Sequence, residues 1–252
     1  MKIEQLAVSP CSTPLIPLER VLMEFSKIGF KKMEVFSEYT EAKIDINYPP
    51  ENFIKMLSKY NMSFSSMHLP VIKDLDEDLN HVIRTAEFAK QIGIEVVIFK
   101  AKTKELYISG AKKFLDLTEK LKITAVLQNH KGTAISTLDD FKDVVRGIND
   151  KRMKTLLEVG MFHSVGTNWK DAYDFLSESV ALVHIKDQIG ETRVPFGKGE
   201  VDFYGLFKKL NDDNYKADIV IEMEVCRDNF SKTISLLAEA REFCCKIIKD
   251  LK

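Results

Sequence analysis

Three of the five histidines in this chain, His68, His130 and His184, stand at the ends of short apolar runs, and so do the carboxylates Glu158 and Glu222. Around them lie Glu34 and Glu38 in and after another such run, Lys100, Gln128-Asn129, Lys186-Asp187 and Glu224. Imidazole nitrogens and carboxylate oxygens brought to one place suit a divalent cation such as Mn²⁺, Mg²⁺, Co²⁺ or Zn²⁺. Glu222 follows Ile219-Val220-Ile221, and burying its charge alone would cost roughly several kcal/mol. It therefore calls for a cation, or for an ion pair with Lys186 or Lys100. Glu34 falls under the same argument and has bracing of the barrel mouth as its plainer role. Glu224, two residues beyond Glu222, points to the same side of an extended chain.

The other polar residues carry two readings each. His68 and His130 are substrate contacts or caps of their strands. Lys186 is a donor to a substrate oxygen or the buried partner of a carboxylate, and Asp187 is more a loop anchor than a reacting group. Arg193 and Lys198, further along the same loop, would hold a phosphate or carboxylate or would simply be solvated.

These residues share a rim only if the runs before them are parallel strands. The runs are Ile3–Val8, Lys32–Phe36, Ser63–Met67, Glu95–Phe99, Ile123–Leu127, Lys154–Glu158, Ala181–Ile185 and Asp218–Met223. Their spacing is close to the roughly thirty residues of a strand–helix unit, and their apolar, β-branched composition is that of strands covered on both faces. Between them the apolar period is helical. Leu18, Val21, Leu22, Phe25 and Ile28 share one face, opened by Pro17 and closed by Gly29. Phe88, Ala89 and Ile92 stop at Gly93 in the same way, and a last helix is expected from about Phe230 to Lys249. An open doubly wound sheet would carry a Gly-rich phosphate loop after its first strand, where this chain reads Ser9-Pro10-Cys11-Ser12-Thr13-Pro14. The expected fold is a single parallel (β/α)₈ barrel spanning residues 1–252, with its chemistry on the loops after the strands.

Length and composition agree. A chain of 252 residues, 45% hydrophobic, is close to the roughly 250 of one such barrel. The balance of 37 Lys+Arg against 38 Asp+Glu, a formal net charge of −1, gives no general attraction to nucleic acid or anionic lipid. No stretch is long and apolar enough to cross a bilayer. The four cysteines, Cys11, Cys226, Cys244 and Cys245, form no C-x-x-C pair and read as small apolar fillers in a reducing compartment. A cytoplasmic protein is expected, with neither nucleic acid nor membrane as partner and with homo-oligomers through helix faces left open.

Several motifs have a familiar order: Gly29-Phe30-Lys31-Lys32-Met33-Glu34, Met67-His68-Leu69-Pro70, Gln128-Asn129-His130, Glu158 with Gly166, His184-Ile185-Lys186-Asp187, Phe196-Gly197-Lys198-Gly199-Glu200-Val201-Asp202 and Val220-Ile221-Glu222. Across nearly the whole chain this resembles the xylose-isomerase-like barrels, which include sugar and ketose isomerases, epimerases and an apurinic endonuclease branch. The resemblance implies one divalent metal held at the ends of strands five to eight, at Gln128, Glu158, His184 and Glu222. Glu, Asp, His and Glu are usual there. Glu158 keeps the charge of the Asp it replaces, whereas Gln128 loses a charge and a base, and Met161 stands where a histidine is frequent. The resemblance further implies a small sugar, keto-sugar or polyol acid as substrate, with Glu222 and Glu158 as catalytic carboxylates. Candidate substrate contacts are His68, His130, Lys186, Glu34 and Arg193. The endonuclease branch has a histidine at the end of strand four; Phe99-Lys100 stands here, which sets back a phosphate-ester hydrolase. The departures at Gln128 and Met161 keep the alternative to an enzyme ahead of that hydrolase: a carbohydrate-binding barrel, a sensor or accessory protein, that has lost catalysis.

Overall fold

The computed structural model describes residues 1–251 and closes eight parallel strands into one barrel. Seven of them run in chain order as β1 (Leu6–Val8), β2 (Lys32–Phe36), β3 (Ser63–Ile72), β4 (Val96–Ala101), β5 (Thr124–Gln128), β6 (Lys154–Glu158) and β7 (Val180–Ile185). An antiparallel hairpin, β8 (Asp187–Ile189) and β9 (Thr192–Val194), stands in the loop after β7, and β10 (Ile219–Ile221) is the eighth barrel strand. It closes the ring on β1 through Leu6↔Ile219, Ala7↔Val220 and Val8↔Ile221.

The outer ring is α1 (Leu18–Lys27), α2 (Pro50–Tyr60), α3 (Leu75–Gln91), α4 (Lys104–Leu121), α5 (Leu138–Ile148), the pair α6 (Val159–Ser164) and α7 (Trp169–Leu176), α8 (Phe203–Asp212) and α9 (Phe230–Asp250). Local chemistry sets their ends. Pro17 is the N-cap of α1, and the Asp74 side chain accepts from the Asp76 and Glu77 amides at the start of α3. Thr137 and Asp140 form a reciprocal capping box on α5. Gly29 and Gly93, beyond α1 and α3, have φ of +91° and +84°, the left-handed region a glycine enters at no steric cost. Among the described residues no helix is long and apolar enough to cross a membrane.

The eight expected strands are all present, with shifted ends. Ile3–Gln5 is a 3-10 turn rather than strand, because the Gln5 amide donates to the carbonyls of Tyr215 and Ala217 while its oxygen accepts from the Lys2 amide. β3 continues past Met67 to Ile72, with its pairing to β4 shifting between His68 and Val71. That irregularity takes in Pro70, which has no N–H to give to a ladder. The main apolar core lies between the strands and the helices. A smaller cluster, Ala7, Ile98, Val126, Leu156, Leu182 and Val220, plugs the barrel lumen.

Candidate active site

Side chains on a strand repeat every two residues, so whatever follows the plug by two also faces the lumen. Those residues are Ser9, Lys100, Gln128, Glu158, His184 and Glu222. Glu34 and Phe36 of β2 alternate with Met33 and Val35 of the outer core, and Ser66 and His68 of β3 alternate with Met67 and Leu69. One step along the strands turns an apolar plug into a polar layer.

Glu34 is the hub of that layer and is fully buried. The hydroxyls of Ser9 and Ser66 donate to its two oxygens at 2.8 and 3.2 Å. His184 Nε2 stands 2.8 Å and His68 Nε2 3.0 Å from its Oε2. Burial alone would raise the Glu34 carboxyl; the facing imidazoles of His184 and His68 outweigh it and hold the group below its ordinary value. For His184, burial pulls downward, yet the carboxylates of Glu34, Glu222 and Glu158 push it well above the usual imidazole value. His68 goes the other way because burial prevails over Glu34. Its ring stacks on Phe36 with centroids 4.2 Å apart.

His184 Nδ1 lies 3.4 Å from both Glu158 Oε2 and Glu222 Oε1. A cation at the point those two carboxylates face would displace the Nδ1 proton and take that lone pair, leaving the Nε2 proton toward Glu34. Ligand atoms of Glu158, His184 and Glu222 lie within 4.8 Å of one another. Glu158 Oε1, both ring nitrogens of His184 and Glu222 Oε2 are buried without a hydrogen-bond partner, although buried polar atoms are nearly always satisfied. The Gln128 amide nitrogen is 3.3 Å from Glu158 Oε2, and a half-turn of that amide brings its oxygen to the same side. Two carboxylates, an imidazole and an amide oxygen fit a divalent cation. A second triplet, Glu34 with His68 and His184, is as compact, but both Glu34 oxygens already have hydroxyl donors.

The two carboxylates at this centre differ. Burial, and then the charge of Glu222, raise the Glu158 carboxyl. Burial pushes Glu222 the same way, but Lys186 and His184 hold it well below the ordinary value. Lys186 Nζ is 2.5 Å from Glu222, 3.6 Å from Glu224 and 3.8 Å from Glu158. Burial would lower this ammonium, and the three carboxylates raise it instead. Gly160, at the start of α6, makes room for it: a Cβ there would meet Lys186 Cγ at 2.1 Å.

Above the layer is a cavity of about 430 Å³. Gln128, Glu158, Lys186, Glu222, His68 and His130 line it, as do Lys100, Cys11, Phe36, Tyr39 and Tyr107. Burial brings the Lys100 ammonium down to about 8, against the pull of Glu38 and Glu34. Cys11 is driven up by burial and by Glu222 and Glu224.

The expected residues thus fall into three places. Six of them form the cavity wall. His184 and Glu34 lie in the layer beneath it. Arg193, on β9, is outside the wall, and its guanidinium is paired with Glu224. His163 lies in the last turn of the short helix α6 and faces Glu200 at 3.1 Å. Met161 is buried and away from the cavity. Asp187 anchors the loop: its carboxylate accepts from the amides of Gly197 and Gly199 at 2.8 and 2.9 Å, and from that of Gln188 at 3.0 Å. The close wrap needs Gly199, where a Cβ would meet Asp187 Oδ1 at 2.1 Å. This contact ties His184-Ile185-Lys186-Asp187 to the Gly197-Lys198-Gly199-Glu200-Val201-Asp202 turn. Ser9 and Ser66, the hydroxyl donors of Glu34, were not among the expected residues, although counting by two from Ala7 and from His68 reaches both.

Residues 23–247 match the family model described as xylose isomerase-like TIM barrel. The chain belongs to that family. An inosose dehydratase of Clostridium beijerinckii is 22% identical over 251 aligned residues, with 82% of each chain covered. An L-ribulose 3-epimerase superposes on this xylose isomerase-like barrel with a TM-score of 0.77 at 15% identity, over 98% of this chain and 95% of that one. The IolI protein, in a structure with a binding zinc atom, gives 0.74 at 17% identity over 98% of this chain and 97% of that one. Identities of this size in solved structures speak for the fold. The family is one of sugar isomerases, epimerases and dehydratases, and this member is an enzyme.

Proposed function

We propose that the protein is a metal-dependent isomerase or epimerase of a small sugar, keto-sugar or related polyol acid, working at the carbon beside the carbonyl. The observation that carries this reading is the convergence of Glu158, His184 and Glu222, each with a buried atom that lacks a hydrogen-bond partner, on the floor of the cavity. Glu158, His184, Glu222 and Gln128 would hold the cation, and zinc in the similar IolI structure supports Zn²⁺ among the candidates. When bound, a divalent ion polarises carbonyl and hydroxyl oxygens and steadies the negative charge that forms on them.

The chain's own residues supply the rest. Glu222, kept anionic by Lys186, takes the proton from the carbon beside the carbonyl. Lys186, fixed by three carboxylates, donates to a substrate oxygen where charge develops. His68 and His130 meet sugar hydroxyls from the opposite wall, and Phe36, Tyr39 and Tyr107 give the ring an apolar face and keep water out. Glu34 positions His184 and through it the two ligating carboxylates. The inosose dehydratase name of a relative fits the same start, since loss of water beside a carbonyl begins with the same proton removal. Four free cysteines suit a reducing compartment, for which the cytoplasm is our reading.

The test is hydrogen exchange in D₂O, with L-ribulose and inosose offered in turn to the Mn²⁺-, Co²⁺- or Zn²⁺-loaded protein and followed by proton NMR. Deuterium is expected to enter beside the carbonyl of at least one of them. Glu222→Gln is expected to slow that entry by about 10²–10⁴-fold, the usual worth of a positioned base. A metal-loaded protein that binds these ketoses without exchanging that hydrogen would leave a carbohydrate-binding barrel instead.

A further inference from the structure

Barrel order places β10 and β4 four positions apart in a ring of eight, directly across the lumen from one another. Val220 and Ile98, the plug residues of these two strands, belong to the same apolar cluster. Glu222 and Lys100 each follow by two residues, so they stand at one height on opposite walls, and both line the cavity. Their surroundings differ. Lys186 is tied to three carboxylates, whereas Lys100 lines the cavity and forms no ion pair among the described residues. The register Ile98↔Val126 between β4 and β5 puts Lys100 next to Gln128, whose amide cannot exchange a proton near neutral pH.

We propose that Lys100 is the second acid/base residue of this site, serving the substrate face opposite Glu222, so that the enzyme inverts the carbon beside the carbonyl. The inference rests on the functional reading above and narrows it to epimerisation. In one direction the Glu222 carboxylate removes the proton from carbon, and the C–H electron pair passes toward the carbonyl oxygen. The Lys100 ammonium then delivers a proton to the other face of the same carbon as that electron pair returns. Glu222 is left protonated and Lys100 neutral, and exchange with water restores both. For the other epimer the two exchange roles. The charges facing Lys100 are Glu38 and Glu34 from the β2 side and the His68 imidazole from β3.

The experiment compares the metal-loaded wild type with Lys100→Met and Lys100→Ala on L-ribulose and inosose in D₂O, reading inversion and deuterium entry separately. Lys100→Met is expected to lose inversion by about 10²–10⁴-fold while retaining deuterium entry with retained configuration, because Glu222 still works from its own face. In Lys100→Ala, added primary amines are expected to restore inversion at rates that follow amine basicity, an effect no packing role would give. Melting temperatures within a few degrees of wild type would show that both variants are folded. Inversion that persists in Lys100→Met, or a raised KM with kcat intact, would overturn the proposal and leave Lys100 as a binding group. Loss of exchange and inversion together, with no rescue by amines, would overturn it as well. A wild type that exchanges no hydrogen with either ketose would instead remove the functional reading, and this inference with it.

Discussion

The apolar plug and the polar layer above it come from the same strands, two residues apart, yet different forces hold them. Ala7, Ile98, Val126, Leu156, Leu182 and Val220 fill the lumen by packing alone, and each is stable there whatever its neighbours' charge. The layer at Ser9, Lys100, Gln128, Glu158, His184 and Glu222 is as deeply placed at its centre, with Glu158 and His184 wholly buried. It persists only because opposite charges and hydroxyl donors meet there, and desolvation of such groups consumes much of what their attraction returns. The plug supplies stability; the layer keeps unsatisfied donors and charges poised for a ligand. A barrel has room for both because the strand period separates them by one pleat.

Truncation in the plug sharpens that contrast most. Leu156→Ala is expected to destabilise by about 2–5 kcal/mol, read from urea unfolding, while the folded fraction keeps its full metal stoichiometry. Metal loss in that variant would mean the layers are not separable.

Glu34→Gln is the converse change. It preserves shape but weakens the acceptor that orients His184, and metal affinity should fall by about 10–100-fold in competition with a chelator. The same variant tests a pH effect. A carboxyl held below its ordinary value stabilises the fold fully above the unfolded Glu range, about pH 4.3, and that contribution disappears as pH falls through the lower folded value. Wild type should therefore lose stability more steeply than Glu34→Gln in acid below about pH 4, and coincident acid limbs would contradict the hub role. Glu158 has the opposite sign. Its carboxyl is raised, so its ionised form costs stability at pH above the folded value, and Glu158→Gln should melt higher than wild type when both are metal-free at neutral pH.

The barrel was legible because hydrophobic runs spaced by amphipathic helices leave few other folds. The site was legible in part because strand ends converge. What escaped had local causes. Ser9 and Ser66 are small hydroxyls with no signature until Glu34 is known to point inward. The β8–β9 hairpin is two three-residue strands turning at Gly190, which has φ of +54°, too short for an alternating pattern to show. Arg193 looked free in the sequence, since nothing local announces that its partner is Glu224, from the loop after a strand that starts 26 residues later (219 − 193).

Arg193 gives the smallest expected effect. Its pair with Glu224 is half exposed on the arginine side, and such pairs contribute about 0–1 kcal/mol. Arg193→Ala should shift stability by no more than that and leave KM within about fivefold; a larger KM change would mean that the guanidinium leaves Glu224 to hold the substrate.

The metal centre is what the proposed chemistry depends on most. Metal analysis of protein purified without chelator or added metal, beside the His184→Ala/Glu222→Ala double variant, is the direct measurement. The prediction is about one divalent ion per chain, absent from the folded double variant. A wild type that stays metal-free after incubation with Mn²⁺, Co²⁺ and Zn²⁺, or a double variant that still holds its ion, would contradict it.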